Sequence, residues 1–412
     1  MQKIKVIIGA SYGDEGKGLA TDFFGAQAAK YTGVAGRCGS INVLTNGGPQ
    51  RGHTVELSDG RRHVFKHFGA AAFQGAATYF AEQFLINPME FVREYDELCG
   101  LHRAPEAYMH PRCRFSTPWD MLINQLLLEK KGIHNSCGFG IWETVLRYDR
   151  GFGIPFGTFA RMNREDRITY LRGLRDGYFA GRIRELGLAV PGSGSVLSDA
   201  DNAGLAEFFY SDALLFHYEE DCETMRCLCP LRREDFLRGY PTVLFENAQG
   251  LLLDGNNPSD TEFTTPSTTG SGKVLQTIEN TFHGADVEIC YVTRSYLTRH
   301  GDGSLENELT GGRLAVLLPG VSPDATNVEN RFQGTLRYGM MDVDSLTERI
   351  RADYARTGSA VRNHYHPSVM VTHLNEFSGI DTDLLAGRFG TLYLSDGRTC
   401  GDIFRETAAI GA

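Results

Sequence analysis

The fold of this 412-residue chain is decided by the stretch Val6–Gly18, which reads VIIGASYGDEGKG. Its short apolar run predicts a buried strand, and the glycine-rich part that follows predicts a turn into a helix. Such a turn presents backbone N–H groups at a helix N-terminus, and Lys17 adds a positive charge. The stretch therefore indicates a phosphate-binding loop, with a strand-to-helix turn that binds nothing as the alternative.

The spacing inside this loop is unusual. A common phosphate-binding loop has four residues between its glycines and a Ser or Thr after the lysine, whose hydroxyl holds Mg²⁺. Here six residues separate Gly9 from Gly16, and Gly18 follows Lys17. Another group must then hold the metal, and Asp14 is the candidate because magnesium prefers carboxylate oxygen.

Strand-like and helical patterns alternate along the rest of the chain. We therefore predict an α/β fold with a central, mostly parallel sheet, a P-loop-like N-terminal strand–loop–helix and helical insertions. We expect one elaborated domain over residues 1–412, with residues from about 150 to 240 as a candidate helical insertion region. Strands are predicted at Lys5–Ile8, Thr242–Phe245, Val287–Thr293 and Ser368–His373, and helices at Thr117–Lys131 and Asn163–Leu186.

Composition narrows the class of protein. The chain has 41 Lys and Arg against 51 Asp and Glu, a formal charge of −10, and no run of basic residues, which disfavours nucleic-acid binding. No segment reaches the roughly 18 apolar residues of a membrane span, and the first strand pattern begins at Ile4 without a charged leader. We predict a cytoplasmic protein, located in a host bacterium if the source is viral, that binds neither nucleic acid nor membrane.

Five motifs follow one another along the chain: GDEGKG at 13–18, GGPQRGHT at 47–54, FENAQG at 245–250, TTPSTTG at 264–270 and TRHGDG at 298–303. In this order they resemble the motifs of the adenylosuccinate synthetases, and the resemblance extends from residue 4 to roughly residue 400. It implies a carbon–nitrogen ligase that uses a purine triphosphate to join L-aspartate to C6 of a purine nucleotide.

The resemblance also implies a two-step reaction. A carboxylate removes the N1 proton of the purine, the oxygen at C6 attacks the terminal phosphate, and the amine of aspartate then displaces that phosphate. Asp14 has the position of the base, and His53 that of the donor to the oxygen on which charge accumulates. Mg²⁺ is the implied cofactor, held by Asp14 and the carbonyl of Gly52. Without the resemblance, His53 would be an ordinary surface histidine.

The implied triphosphate site combines the first loop with two C-terminal segments. Members of the family that use GTP have Thr-Lys-Leu-Asp where this chain has Thr372–Asn375, reading THLN. Because an amide offers a donor and an acceptor, ATP is the predicted phosphate donor and GTP the alternative. The turn Ser395–Arg398 either contacts the same base or is a plain β-turn. The predicted residues are Gly13, Glu15, Gly16, Lys17, Gly18, Gly52, Thr54, His373, Asn375, Ser395 and Gly397.

A purine monophosphate requires a second anion site. The loop at 135–140, NSCGFG, departs from the family's Thr-Thr-Gly-Arg-Gly but keeps the backbone donors. Arg147 is the candidate for the arginine that the family offers to the neighbouring subunit of a homodimer, with a helix-surface arginine as the alternative. Predicted monophosphate residues are Asp14, Gln50, Ser136, Cys137, Arg147, Gln249 and Thr264, and those for the carboxylates of L-aspartate are Thr326, Arg331 and Arg337.

The predicted purine acceptor is dGMP. The chain resembles in particular the viral branch that makes 2-aminoadenylosuccinate from dGMP for diaminopurine DNA, and its departures at Pro49–Gln50, Ser136–Cys137 and Asn375 favour that branch. An IMP-using adenylosuccinate synthetase is the alternative within the family. A regulator that binds nucleotides without catalysis is the alternative from another class, and it is disfavoured because a mere binder needs no base.

Overall fold

The computed structural model describes residues 2–30, 39–101, 104–131, 136–188, 208–256, 263–321 and 335–407. Thr326 and Arg331, predicted to bind aspartate, lie outside the described residues. The strands are β1 (Lys3–Gly9), β2 (Ser40–Leu44), β3 (His53–Glu56), β4 (Arg62–Phe65), β5 (Ala77–Phe80), β6 (Leu85–Ile86), β7 (Ala107–Met109), β8 (Arg114–Phe115), β9 (Thr242–Gly250), β10 (Asp286–Arg294), β11 (Leu297–His300), β12 (Glu308–Leu309), β13 (Leu336–Gly339), β14 (His364–Thr372), β15 (Thr391–Ser395) and β16 (Ile403–Thr407).

Helices alternate with these strands along the chain. A π-helical segment at Leu174–Phe179 joins two of them into the continuous helical stretch predicted near residues 163–186. The α-helices are α1 (Lys17–Ala29), α2 (Pro88–Leu101), α3 (Pro118–Lys131), α4 (Ile141–Asp149), α5 (Phe156–Phe159), α6 (Arg164–Gly173), α7 (Ala180–Glu185), α8 (Asp212–Leu228), α9 (Gly272–Thr281), α10 (Gly312–Leu317), α11 (Val343–Tyr354) and α12 (Thr382–Phe389).

The central sheet has nine strands in the order β16-β15-β14-β10-β1-β9-β2-β5-β7. All neighbouring pairs are parallel except β15–β16, which are antiparallel. The predicted α/β fold with a mostly parallel sheet is therefore confirmed. Because every parallel strand ends at the same edge, the loops after β1, β9, β10 and β14 are neighbours there.

Side chains of β1 explain why both faces of the sheet are covered. Ile4, Val6 and Ile8 point to one face and pack with residues of α9, α11 and α12. Ile7 points to the other face and packs with Leu19 and other residues of α1. Alternation along a strand sends successive side chains to opposite faces, so an unbroken apolar run is the pattern of a strand buried on both sides.

A second core lies among the helices that follow the sheet's β7 edge. Trp119 of α3, Leu171 of α6, Phe179 and Met225 of α8 are all buried in it. The region from about 150 to 240 is thus largely helical where it is described. Within the described residues, we find no helix that is both long and apolar enough to cross a membrane.

Candidate active site

A polar cavity of about 200 Å³ opens at the carboxyl edge of the sheet. Its walls come from the loop after β1, the segment before β3, the loop before α4, the end of β9 and the end of β11. It collects many residues predicted from separate motifs, although those motifs are far apart in sequence. The predicted residues in its lining are Gly13, Asp14, Gln50, Gly52, His53, Ser136, Cys137, Gln249 and Thr264.

The charged side chains of the first loop hold the loop itself. Oε1 of Glu15 accepts hydrogen bonds from the backbone N–H groups of Ser11 and Gly13, at 3.0 and 2.7 Å. The ammonium group of Lys17 is fully buried, donates to the carbonyl of Gly13 and lies 3.1 Å from Oε2 of Glu15. Glu15 therefore offsets the charge of Lys17 and shapes the curve of the loop.

Gly18 stands where a common phosphate-binding loop has Ser or Thr. A Cβ at this position would lie 2.6 Å from the carbonyl oxygen of Thr54 and 2.9 Å from the carbonyl carbon of His53. The first turn of α1 thus packs directly on the backbone of β3, where only glycine fits. This close contact fixes His53 relative to the loop.

Asp14 presents its carboxylate to the cavity. Its side chain is 25% exposed, and Oδ2 lies 3.8 Å from Nε2 of His300. Within the described residues, the carboxylate accepts no hydrogen bond, whereas the backbone carbonyl of Asp14 accepts one from Arg294. Both carboxylate oxygens therefore remain available to a substrate or a cation.

His53 lies in a buried group of three polar side chains. Nδ1 of His53 contacts Oε1 of Glu246 and lies 2.9 Å from Nη2 of Arg51, which also pairs with Glu246. Burial, together with the positive charge of Arg51, lowers the pKa of His53 to about 3 even though Glu246 opposes the shift. The imidazole is consequently neutral at physiological pH.

The loop before α4 closes one side of the cavity. Ser136 donates to Oδ1 of Asn124 at 3.1 Å, and its hydroxyl accepts from the N–H of Gly138 at 3.3 Å. Burial raises the pKa of the Cys137 thiol to about 12, so this cysteine is a neutral wall residue. Gly140 has a φ of 70°, and a Cβ there would meet the backbone of Asp120 at 2.5 Å.

The end of β9 supplies the opposite wall. Gln249 adopts a left-handed φ of 65°, which is uncommon for a residue other than glycine. Its backbone lies beside Gly13, and a Cβ on the following Gly250 would lie 2.3 Å from the carbonyl oxygen of Ser11. The strained turn thus lets β9 end directly against the first loop.

The predicted triphosphate residues of the C-terminal segments lie outside the lining of this cavity. His373 follows β14 with a φ of 62°, and the next residue, Leu374, donates to the carbonyl of Ser395 at 3.1 Å. The hydroxyl of Thr372 donates to the carbonyl of Glu15 at 2.8 Å, which joins this edge to the first loop. Asn375 is exposed beside them, and the hydroxyl of Ser395 donates to the carbonyl of Gly397.

Arg147 does not occupy the position that we expected. It is fully buried, and its guanidinium pairs with Asp120 through bonds of 3.1 and 3.0 Å and donates to the carbonyl of Phe115 at 2.7 Å. The expectation of an arginine offered to a neighbouring subunit is therefore wrong for this residue. The two side chains pair because burying the charge of Asp120 or of Arg147 alone in the interior would be unfavourable.

Arg337 makes contacts within the chain, and its role in binding aspartate stays a prediction. It donates to the carbonyls of Gly301 and Gly303 at 2.9 and 2.7 Å and pairs with Glu308 at 2.9 Å. Its guanidinium thus supports the turn after β11 and does not line the cavity. Arg337 contributes indirectly, because that turn carries His300 and Asp302 into the wall.

Sequence reasoning missed several residues of the cavity. Arg51, Arg299, His300 and Asp302 all line it, yet none was assigned a role. The sequence did contain a signal for these four residues, because each lies inside one of the motifs GGPQRGHT and TRHGDG. Arg51 in particular stands where the family's motif Gly-Gly-His-Asn-Ala-Gly-His-Thr has alanine.

Comparison with known sequences gives matches of differing extent. Residues 6–148 match the family model described as adenylosuccinate synthetase. The adenylosuccinate synthetase of Haloarcula marismortui is 23% identical over 392 residues, which cover 91% of this chain and 79% of that protein. The adenylosuccinate synthetase of Borrelia duttonii is 26% identical over 131 residues, which cover 32% of this chain but only 28% of that protein.

Two solved structures have the same fold. Fully ligated adenylosuccinate synthetase from Plasmodium falciparum superposes with a TM-score of 0.63 at 17% identity, covering 98% of this chain and 87% of that one. The succinoaminodeoxyadenylate synthetase of cyanophage S-2L, bound to dGMP and to dATP as an energy donor, gives a TM-score of 0.61 at 14% identity. This second match covers 98% of this chain and 95% of that one.

The chain is therefore similar to adenylosuccinate synthetases, which are carbon–nitrogen ligases, in the sequence of residues 6–148. It is also similar to them in fold over most of its length.

Proposed function

We propose that this chain joins L-aspartate to C6 of a purine nucleoside monophosphate through a 6-phosphoryl intermediate, at the expense of a purine triphosphate. The observation that carries the proposal is the cavity, where the carboxylate of Asp14 lies in one wall with His53 and Gln249 and accepts no hydrogen bond from the described residues. A carboxylate that accepts no internal hydrogen bond is suited to take a proton from a ligand.

The chemistry that we propose is the one that the family resemblance implies for these residues. Asp14 takes the proton from N1 while the oxygen at C6 forms a bond to the terminal phosphorus, and the bond from that phosphorus to the rest of the triphosphate breaks. The amine of aspartate then forms the C6–N bond, and phosphate leaves with the oxygen. Positioned polar groups lower both barriers by stabilising charge as it develops.

The residues present also fit a magnesium ion. The carboxylate of Asp14, free of described hydrogen bonds, and the carbonyl of Gly52 are oxygen ligands of the kind that Mg²⁺ prefers. A bound Mg²⁺ would supply positive charge for the phosphates of the triphosphate.

The acceptor that we propose is dGMP, with ATP as the phosphate donor. A carboxylate facing N1 can accept from both the N1–H and the 2-amino group of guanine, a pair that IMP does not offer. The cyanophage enzyme of the same fold was solved with dGMP and dATP, which agrees with this choice. Asn375, in place of the family's aspartate, favours adenine in the triphosphate.

A homodimer is proposed from the family resemblance, and a cross-subunit arginine would have to be a residue other than Arg147. An IMP-using synthetase is the second candidate, since the same carboxylate also serves the N1–H of hypoxanthine.

Phosphate release tests the proposal directly. Purified enzyme is mixed with ATP, Mg²⁺ and a purine monophosphate, with and without L-aspartate. Phosphate release that requires both the monophosphate and aspartate, together with a succinylated purine product, is expected. Nucleotide binding without such release would identify the protein as a non-catalytic regulator. Light scattering on the same sample measures whether the chain is a dimer.

A further inference from the structure

Arg51 is a charged residue of the cavity wall to which no role has been assigned. It is only 3% exposed, although it lines the same cavity as Asp14 and His53. It lies in the segment that leads into β3, where its backbone N–H donates to the carbonyl of Gly48 at 3.2 Å. A buried arginine is costly unless charges and hydrogen bonds in the folded protein or its ligands compensate it.

One side of the guanidinium is anchored. Nη2 of Arg51 pairs with Oε1 of Glu246 and lies 2.9 Å from Nδ1 of His53. Glu246 is itself fixed, because Oε2 accepts from the backbone N–H of Ala70 at 3.1 Å. The anchor holds a planar, permanently charged group in one orientation before any ligand arrives.

The other donors of Arg51 have no use within the described part of the chain. Nε and Nη1 are buried and have no hydrogen-bond partner there. A buried donor without a hydrogen-bond partner is unfavourable, so we expect a ligand oxygen to accept from Nε and Nη1. Gln50 and His300, which line the same cavity, also carry buried polar atoms that make no hydrogen bond to the described residues.

A purely structural role for Arg51 explains less of the geometry. Balancing Glu246 occupies only Nη2 of Arg51 and leaves the buried Nε and Nη1 unused within the described residues. His53, for its part, is neutral and brings no positive charge to this wall. The permanent positive charge nearest to the imidazole therefore belongs to Arg51.

We propose that Arg51 is a catalytic residue, whose Nε and Nη1 donate to oxygen atoms of the phosphoryl group that is transferred to the purine. The role deepens the proposed function and rests on it. As the O–P bond to the purine forms and the bond to the leaving nucleoside diphosphate breaks, negative charge is redistributed over the phosphoryl and leaving oxygens. A fixed guanidinium stabilises that charge without prior rearrangement.

The test is chemical rescue of an alanine variant. Arg51→Ala removes the guanidinium group and leaves room for a guanidinium ion. We expect kcat for aspartate-dependent phosphate release to fall by about 10²–10³-fold, with KM for either nucleotide changed much less. Low millimolar guanidinium chloride should raise kcat of the alanine variant at least about tenfold, whereas sodium chloride at the same ionic strength should not.

Controls separate this role from a structural one. Arg184→Ala removes an exposed arginine of α7, and guanidinium should not raise its activity. Thermal unfolding of Arg51→Ala verifies that it is folded, and Arg51→Lys, which keeps the charge but not the planar donors, should retain only part of kcat. If the alanine variant does not fold, kcat of Arg51→Lys is the test of the proposal. Full activity in Arg51→Lys would then overturn it.

The two proposals fail in different ways. Wild-type enzyme without aspartate-dependent phosphate release contradicts the proposed function. An active wild type with an equally active Arg51→Ala, or a variant whose lost activity guanidinium does not restore beyond the effect of salt, contradicts the role of Arg51 alone.

Discussion

At the scale of single residues, the two acidic side chains of the first loop have opposite surroundings. Glu15 is buried and accepts from two backbone N–H groups and from Lys17. Asp14, its neighbour, is partly exposed and accepts from no described residue. One carboxylate therefore shapes the loop, and the other is free for chemistry.

Replacing Asp14 by asparagine should abolish most turnover. The substitution keeps the size of the side chain but removes the base, so we expect kcat to fall by at least about 10²-fold. KM for the nucleotides should change less, because the charge that Asp14 addresses develops mainly in the transition state. Asp383→Asn, at an exposed position of α12, is the matched control. Turnover of Asp14→Asn close to wild type would remove Asp14 from the mechanism.

Asn375 should determine the choice of triphosphate. We expect ATP to serve at least as well as GTP, and Asn375→Asp to shift the ratio of kcat/KM toward GTP by roughly 5- to 150-fold, because a mispaired donor or acceptor that the bound base buries costs about 1–3 kcal/mol. Steady-state rates with the two triphosphates measure the ratio. A wild-type enzyme that accepts only GTP would contradict this assignment.

At the scale of elements, the contact between α1 and β3 sets the geometry of the active site. The absence of a side chain at Gly18 lets the helix approach the backbone that carries His53. The same contact explains why the usual Ser or Thr is missing after the lysine. The helix start and the strand start are thus positioned by backbone packing.

Gly18→Ala should therefore lower both stability and activity. Overpacking at a tight contact typically costs about 1–3 kcal/mol of unfolding free energy, and any shift of β3 displaces His53. Gly181→Ala in α7 is the matched control, since nothing lies within 4 Å of its added Cβ. The control should be stabilised by about 0.5–1 kcal/mol, as for alanine in an unstrained helix. Urea denaturation of both variants measures the difference.

The buried pair between Asp120 of α3 and Arg147 of α4 joins two helices. Arg147→Met would leave Asp120 as an uncompensated buried charge, at a cost of about 3–5 kcal/mol in unfolding free energy. Arg150→Met breaks the exposed pair with Glu185 near the same helix and should change stability much less. A folded Arg147→Met with unchanged stability and a raised KM for the monophosphate would instead support a role in binding the substrate.

At the scale of the whole molecule, the strands that sequence patterns predict best are those buried on both faces. The apolar runs in β1, β9, β10 and β14 meet this condition. β5 and β7 are only four and three residues long, too short to show a period. The burial of Arg147 was not predictable, since its partner Asp120 lies 27 residues away and only packing brings them together.

The same limit applies to the active site. Motifs identified Asp14, His53 and Gln249, because each lies in a stretch with a distinctive local pattern. The contact of Arg51 with Glu246 joins positions 195 residues apart, so only the assembled sheet reveals it. Substrate specificity depends on such assembled contacts, which is why the family emerges from sequence more readily than the acceptor does.

The acceptor preference is the prediction that depends on the complete site. With L-aspartate, ATP and each monophosphate in turn, we expect dGMP to give a kcat/KM above that of IMP. The 2-amino group adds a hydrogen bond to Asp14, whose contribution of about 0.5–3 kcal/mol corresponds to roughly 2- to 150-fold. GMP in the same panel separates the effect of the 2-amino group from that of the ribose 2′-hydroxyl, because it differs from dGMP only in that hydroxyl. Chromatography of the succinylated products measures each rate. Activity with IMP and none with dGMP would contradict the preference and identify the chain as an IMP-using adenylosuccinate synthetase.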